Sequence, residues 1–147
     1  MNKIRNAAKA IIIEDDKILL IKHKNNYYTL PGGGQNHNET LEEALKRECL
    51  EEIGGEVQVK EVRFITEYIG DRHEDSIHDE GFHQLDVFFE CDLIGHVALD
   101  EANQMDETQE DVKWIPLDDL DTIVLYPKTL IHHIKGISKS IYLGEMT

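Results

Sequence analysis

The sequence predicts an α/β protein in which a mixed β-sheet lies between helices. Short β-branched runs alternate with helix signals along the chain, and strand-like segments separate the two helices. No repeat, low-complexity tract or Pro/Gly/Ser linker divides the 147 residues, so one domain over residues 1–147 is expected, long enough to bury a core without staples.

Residues 6–13 and 17–22 are aliphatic runs separated by Asp15-Asp16 and predict a hairpin. A short strand is expected over Tyr27–Leu30, stopped by Pro31 and by Gly32, Gly33 and Gly34, which predict a tight turn. A helix follows, with Thr40 as N-cap, Glu43 completing a capping box and Gly54 at the C-terminal position. Residues 56–69 read as a strand with Val57, Val59, Val62, Phe64 and Ile65 in the core, and the alternation slips at Phe64-Ile65, where a bulge or a break is expected. Residues 71–81 carry almost nothing apolar and predict a surface loop. Leu85–Ile94 is the next strand, with Val87, Phe88, Phe89 and Leu93 as its apolar members. An acidic excursion over 97–111 gives way to strand at Val112–Ile115. Pro127 then starts a final helix with Leu130, Ile131, Ile134, Ile137 and Ile141 at helical spacing.

Fifteen Lys and Arg against 30 Asp and Glu leave a formal charge of −15. That surplus excludes nucleic acid polymers and anionic membranes as partners, because nothing offsets phosphate repulsion. A small phosphorylated ligand stays compatible where a bound cation bridges the charges. Hydrophobic content of 40% and charged content of 31% describe a globular chain. Cys49 and Cys91 alone make no disulfide framework, and a reducing cytosol is the expected setting. The early apolar run, Ala10–Ile13, breaks at Glu14-Asp15-Asp16, too short for a signal-peptide core or a membrane span. The expected location is therefore cytoplasmic.

The chemistry concentrates in residues 31–55. On a helical wheel, Leu41, Leu45, Cys49 and Ile53 form one apolar stripe with Ala44 beside it. Glu48, Glu51 and Glu52 stand at i, i+3 and i+4 and share one arc that overlaps the stripe's edge, at the lip of the core. Three like charges so placed repel one another, and a cation removes that cost. Hard oxygen ligands select Mg²⁺, Mn²⁺ or Ca²⁺. Arg47 can lock a carboxylate or brace the preceding loop, and the glycines permit close backbone approach to a metal or a phosphate. Taken singly, a Glu-rich helix reads as solvated surface and a glycine run as a loop. Their conjunction suits a Mg²⁺-bound diphosphate.

This stretch resembles the Nudix box, G-x5-E-x7-R-E-U-x-E-E-x-G-U with U a bulky aliphatic. Gly33, Glu39, Arg47, Glu48, Glu51, Glu52 and Gly54 fill its seven fixed positions. Cys49 and Gly55 depart at U positions. Cys49 is apolar and suits the stripe, whereas Gly55 leaves a missing contact that Val57 can supply.

The resemblance implies an α/β/α sandwich and hydrolysis of a nucleoside diphosphate linked to another group, with Mg²⁺ as the usual cation and Mn²⁺ an accepted one. It implies that Glu48, Glu51 and Glu52 bind metal, that Gly33 adds a backbone carbonyl, that Arg47 orients the glutamates and that Glu39 supports loop and helix. Water attacks phosphorus in such chemistry, and the proton acceptor is open between Glu51 or Glu52 in the box and a loop acid, Glu107 or Glu110 ahead of Asp111. Arg72 or His73 is the expected substrate contact among few cations. The spacing of His73, His78 and His83 fits no usual zinc pattern. Tyr27, Tyr28 and Phe82 read as core or as stacking partners for a base. Neither cysteine has an activating arrangement.

Patterns that accompany ADP-ribose, diadenosine polyphosphate or coenzyme A substrates in this family are not matched: the relevant neighbourhood holds Tyr68-Ile69-Gly70-Asp71, and LLIKHKNNYYTL lacks the coenzyme A motif. Damaged nucleoside triphosphates stay open by elimination. The alternative to catalysis is a silent Nudix-like module that binds or senses a nucleotide; retention of all four box glutamates favours hydrolysis. A Ca²⁺-buffering role fails for want of an Asp-rich ligand loop. A homodimer is an expectation from the resemblance.

Overall fold

The aliphatic runs at the start of the chain carry apolar side chains on both sides, which requires a sheet covered on both faces. In the computed structural model, which describes residues 3–72, 81–96, 109–136 and 140–145 but not the Glu110 side chain, they are β1 (Ile4–Glu14) and β2 (Lys17–His23). Asp15 and Asp16 turn the hairpin with φ of 51° and 61°, the twist that a tight two-residue turn needs. The other strands are β3 (Tyr28–Thr29), β4 (Gly32–Gly34), β5 (Glu56–Ile69), β6 (His83–Ile94), β7 (Gln109–Pro116) and β8 (Tyr142–Glu145). They form a mixed sheet in the order β3-β2-β1-β6-β5-β8, with β4 paired to β1 and β7 to β2. β1 runs parallel to β6 over Ile4–Ile12 and takes β4 antiparallel along Ala7–Lys9.

Alternation sorts the side chains. Ala8, Ala10, Ile12, Leu19 and Ile21 pack with Leu45, Cys49 and Ile53 of helix α1 (Leu41–Ile53). Ile11, Ile18 and Leu20 pack on the opposite face with Leu120 of a 3-10 segment (Leu117–Thr122) and with Leu130 and Ile134 of helix α2 (Leu130–Lys135). This is the expected sheet between helices. α1 is bounded as its punctuation predicts. Thr40 Oγ1 accepts from the Glu43 N–H at 3.0 Å, Glu43 Oε1 accepts from the Thr40 N–H at 2.9 Å, and Gly54 closes the helix at φ 59°. Gly55, the departure from the box pattern, is tightly enclosed: a Cβ there would lie 3.0 Å from Leu93 Cδ1 and 3.3 Å from Ile53 Cδ1. Val57 is buried in the same cluster.

Several expectations need correction. Gly32–Gly34 form strand β4 where a turn was expected, because backbone pairing with β1 needs no side chain. The register of β5 against β6 shifts between Val59 and Val62 and again before Phe64, ahead of Phe64-Ile65. The bulged stretch turns Val62 out, leaving it 37% exposed and outside the core. The last helix covers only Leu130–Lys135: Pro127 precedes it, Ile137 lies outside the described residues, and Ile141 is exposed just before β8, which pairs parallel with β5. Part of the expected 71–81 loop also lies outside the described residues, while Gly70–Arg72 make a 3-10 turn. Among the described residues no helix is long and apolar enough to cross a membrane.

Thr40→Ala removes the cap acceptor for α1. The unfolding free energy should fall by about 1 kcal/mol with an unchanged denaturant slope, measured by urea titration.

Candidate active site

A strand of bare glycines lies beside the carboxylate-bearing half of α1. The Gly32 N–H donates to Glu52 Oε1 at 2.9 Å, and the Gly34 carbonyl accepts from Arg47 Nη2 at 2.9 Å. Two side chains of α1 therefore satisfy the backbone of β4 on both sides of Gly33. Gly33 is where close approach matters most: a Cβ there would sit 2.5 Å from Glu48 Cδ, so only glycine lets that carboxylate rest against the backbone.

Arg47 organises the acids. Its Nε and Nη2 donate to the two oxygens of Glu39 at 3.2 and 2.7 Å, a bidentate fork. Its Nη1 reaches Glu48 Oε1 at 2.9 Å and Glu51 Oε2 at 3.3 Å. The Arg47 bond and the Asn36 N–H hold the Glu39 carboxyl below its usual range, and the Glu39 bond leads the raising of Arg47. Glu52 differs. It is 7% exposed, and its Oε2 accepts from Gln109 Nε2 at 2.6 Å. Burial pushes its pKa up to about 7, against the Gly32 N–H, the Gln109 amide and the charge of Lys9.

Around these acids is a cleft of about 340 Å³. Glu48, Glu51 and Glu52 line one side, and Arg5 and Lys9 of β1 bring positive charge to it. Buried Asp86 lies behind them; burial raises its pKa, opposed by Lys9, Gln84 and Arg5. Glu48, Glu51 and Glu52 line the cleft from one helix and the glycine cradle brings backbone to Glu48; these are oxygen donors of the type a hard cation takes. The acids turn to protein donors, and among the described residues no three acidic, His or Cys side chains are grouped so that they could hold a metal ion.

The structure thus brings Gly33, Glu39, Arg47, Glu48, Glu51 and Glu52 together. It places other expected residues elsewhere. Arg72 is exposed in the 3-10 turn and is not among the residues lining the cleft; the pKa of nearby Glu67 is lowered chiefly by the Tyr142 hydroxyl and His83, with Arg72 a lesser cause. Asp111 pairs with Lys113 at 3.1 Å. Glu107, His73 and His78 lie outside the described residues, as does the Glu110 side chain. His83 Nε2 stands 2.9 Å from Glu67 Oε1, which also bonds the Tyr142 hydroxyl through its other oxygen. Tyr27 stacks on His23 at 4.3 Å, Tyr28 packs against the core, and Phe82 leans on Tyr68. Both thiols are buried: burial drives Cys49 well above its usual range and Cys91 up to about 12, as inert cysteines require. Sequence reading missed Arg5, Lys9 and Gln109. The period-two spacing of Arg5 and Lys9 signals a shared strand face, and only the pairing of β4 with β1 brings that face to the cleft.

A family model, the NUDIX domain, matches residues 3–135, and the chain belongs to the Nudix hydrolase family. It is 38% identical over 93 residues to an ADP-ribose pyrophosphatase of Methanocaldococcus jannaschii, covering 60% of this chain and 51% of that protein, about half its length. A nucleoside triphosphatase NudI of an Enterobacter species is 27% identical over 105 residues, 69% of this chain and 70% of its own. A NUDIX hydrolase from Nitrosomonas europaea shares the fold, with a TM-score of 0.73 at 19% identity over 90% of this chain and 87% of that one.

Arg47→Lys keeps the charge and removes the planar fork, so one ammonium must replace five directed contacts. The thermal midpoint should fall by roughly 3–6 °C, read by calorimetry. An unchanged midpoint would show that the fork holds nothing together.

Proposed function

We propose that the chain is a single-domain hydrolase of the diphosphate linkage in nucleoside diphosphate derivatives, either nucleoside triphosphates or nucleoside diphosphates linked to another group. One observation carries the reading: Arg47 gathers Glu39, Glu48 and Glu51 against a glycine strand, beside buried Glu52, in a cleft that also holds Arg5 and Lys9. In this reading Glu48, Glu51 and Glu52 hold a divalent cation with the Gly33 carbonyl. Mg²⁺ is the natural occupant and Mn²⁺ a substitute. When bound, the cation supplies charge neutralisation on phosphate oxygens and lowers the pKa of water.

The chain's own residues do the rest. Arg47 fixes the rotamers of Glu48 and Glu51, and Glu39 fixes Arg47. The Gly32 N–H and Gln109 set the plane of the Glu52 carboxylate. A water oxygen attacks one phosphorus, the anhydride P–O bond breaks, and the water proton passes to Glu51 or Glu52, with Glu107 and Glu110 the other candidates. The leaving phosphate departs with the electron pair of the broken bond. Names borne by the relatives put ADP-ribose and nucleoside triphosphates first among substrates to try. The two buried, unpaired thiols support a cytoplasmic setting, and the family resemblance supports a homodimer that sedimentation of the purified chain would check.

Phosphate release from (d)NTPs, oxidised dGTP, nucleotide sugars, dinucleotides and ADP-ribose should require Mg²⁺ and stop with EDTA. Glu52→Gln should lower kcat by about 10²-fold or more. Mn²⁺ should raise the melting temperature of the native chain but not of this variant, because a cation that binds only the folded state stabilises it. Wild-type turnover by the variant would sink the metal site; nucleotide binding without turnover of any compound would favour the sensing module.

A further inference from the structure

We propose that Arg5 is a phosphate contact for the substrate, held in its working geometry by Gln84. This contact presupposes that the cleft is a nucleoside diphosphate site, and it names the residue that meets a phosphate not under attack.

Arg5, Ala7 and Lys9 share one face of β1, and the parallel register sets Arg5 beside Gln84 and Ala7 beside Asp86. Arg5 Nη1 donates to Gln84 Oε1 at 2.7 Å, and Gln84 Nε2 donates to Asp86 Oδ1 at 2.7 Å. Asp86 Oδ1 takes the Gln84 amide NH₂, which leaves the amide oxygen turned to the guanidinium. Asp86 is 9% exposed and cannot swing away, which makes the relay directional.

The second support is Gly34. A Cβ at Gly34 would lie 2.6 Å from Arg5 Nη2 and 2.7 Å from Nε, so the guanidinium lies against bare backbone. Gly33, its neighbour, seats Glu48 in the same manner. Successive residues of a strand face opposite ways, so β4 presents an acid on one side and a base on the other, both lining one cleft.

Third, Arg5 forms no ion pair among the described residues, and only its longer-range charge reaches Asp86. Acids outnumber bases two to one, 30 to 15, yet no carboxylate among the described residues lies within ion-pair distance of Arg5. Its one side-chain hydrogen bond among the described residues is to a neutral amide, leaving other donors of an exposed guanidinium for a ligand at the cleft. A planar fork with several donors matches phosphate oxygens better than any other group expected in this cleft.

The test uses the full chain with Mg²⁺. Calorimetry follows binding of ADP and of inorganic pyrophosphate to native protein, Arg5→Met, Arg5→Lys and Gln84→Leu, and steady-state kinetics follow the best substrate. Arg5→Met should weaken both ligands by the same factor, about tenfold, the scale of one charge-assisted contact. It should raise KM by a similar factor with kcat nearly unchanged, the signature of a group bound alike in ground and transition states. Gln84→Leu should give a smaller loss of the same kind, and Arg5→Lys should recover part of it. Loss for ADP alone would move Arg5 to the nucleoside, and a fall in kcat with constant KM would move it to the reacting centre; either overturns the proposal, as does unchanged affinity. If the native chain hydrolyses nothing while Arg5→Met still loses pyrophosphate binding, the hydrolase reading fails and this contact stands. Turnover by the native chain with unaltered Arg5→Met binding gives the reverse.

Discussion

The five hydrogen bonds of Arg47 are the interaction on which the rest of the site depends. They join the loop before α1 through Glu39, the glycine strand through the Gly34 carbonyl, and the helix face through Glu48 and Glu51. A helix with acids at i, i+3 and i+4 pays for that crowding in repulsion, and one guanidinium that touches two of the three relieves it. The third acid, Glu52, bonds neutral donors with the charge of Lys9 nearby, and burial raises its pKa where the Arg47 bond lowers that of Glu39. Two carboxylates of one site thus differ by surroundings: Glu39 in the loop is held down by Arg47, and Glu52 on the helix is pushed up by burial.

The glycine strand is the complementary constraint. α1 docks through Ala44, Leu45, Cys49 and Ile53, which places the neighbouring acids against whatever lies at the edge of that face. A strand with side chains would hold them a Cβ away and cover its own amides. β4 lets Glu48 approach on one side and Arg5 on the other, while Glu52 and Arg47 take its Gly32 N–H and Gly34 carbonyl. The enclosure of Gly55 belongs to the same docking: Leu93 and Ile53 already fill the space a larger side chain would enter, so the missing aliphatic costs the helix seat little.

What could be read from the chain follows how much of each feature is local. The Asp15-Asp16 hairpin and the capped helix from Thr40 to Gly54 depend on neighbours in sequence, and the residues announce them. The apolar stripe and acidic arc of α1 follow from helical period alone. β4 is silent because glycine carries no side-chain pattern, and a run of three reads as a turn until a partner strand is known. The bulge in β5 and the brevity of α2 are decided by packing: Val62 points outward because the register shifts, and β8 claims the residues after Ile141 as an edge strand. Arg5, Lys9 and Gln109 come from segments far from the box in sequence, and pairing alone gathers them at its cleft.

Net charge and local charge then separate. A chain at −15 repels polyanions at long range, where the whole distribution is felt. Within the cleft the nearest groups decide, because screening and distance remove the rest within about a Debye length, ~10 Å at ordinary salt. Arg5, Lys9 and three glutamates line that space together, with Lys9 near enough to Glu52 to oppose the rise of its pKa. In the proposed reading, a ligand with several phosphate oxygens and its own divalent cation carries both signs and meets both kinds of group at once. A bare anion would meet the glutamates unshielded, and a bare cation would leave Arg5 without its counterpart. In that reading, the surplus acidity and the two cations of β1 select together for a cation-bound phosphate compound small enough to enter.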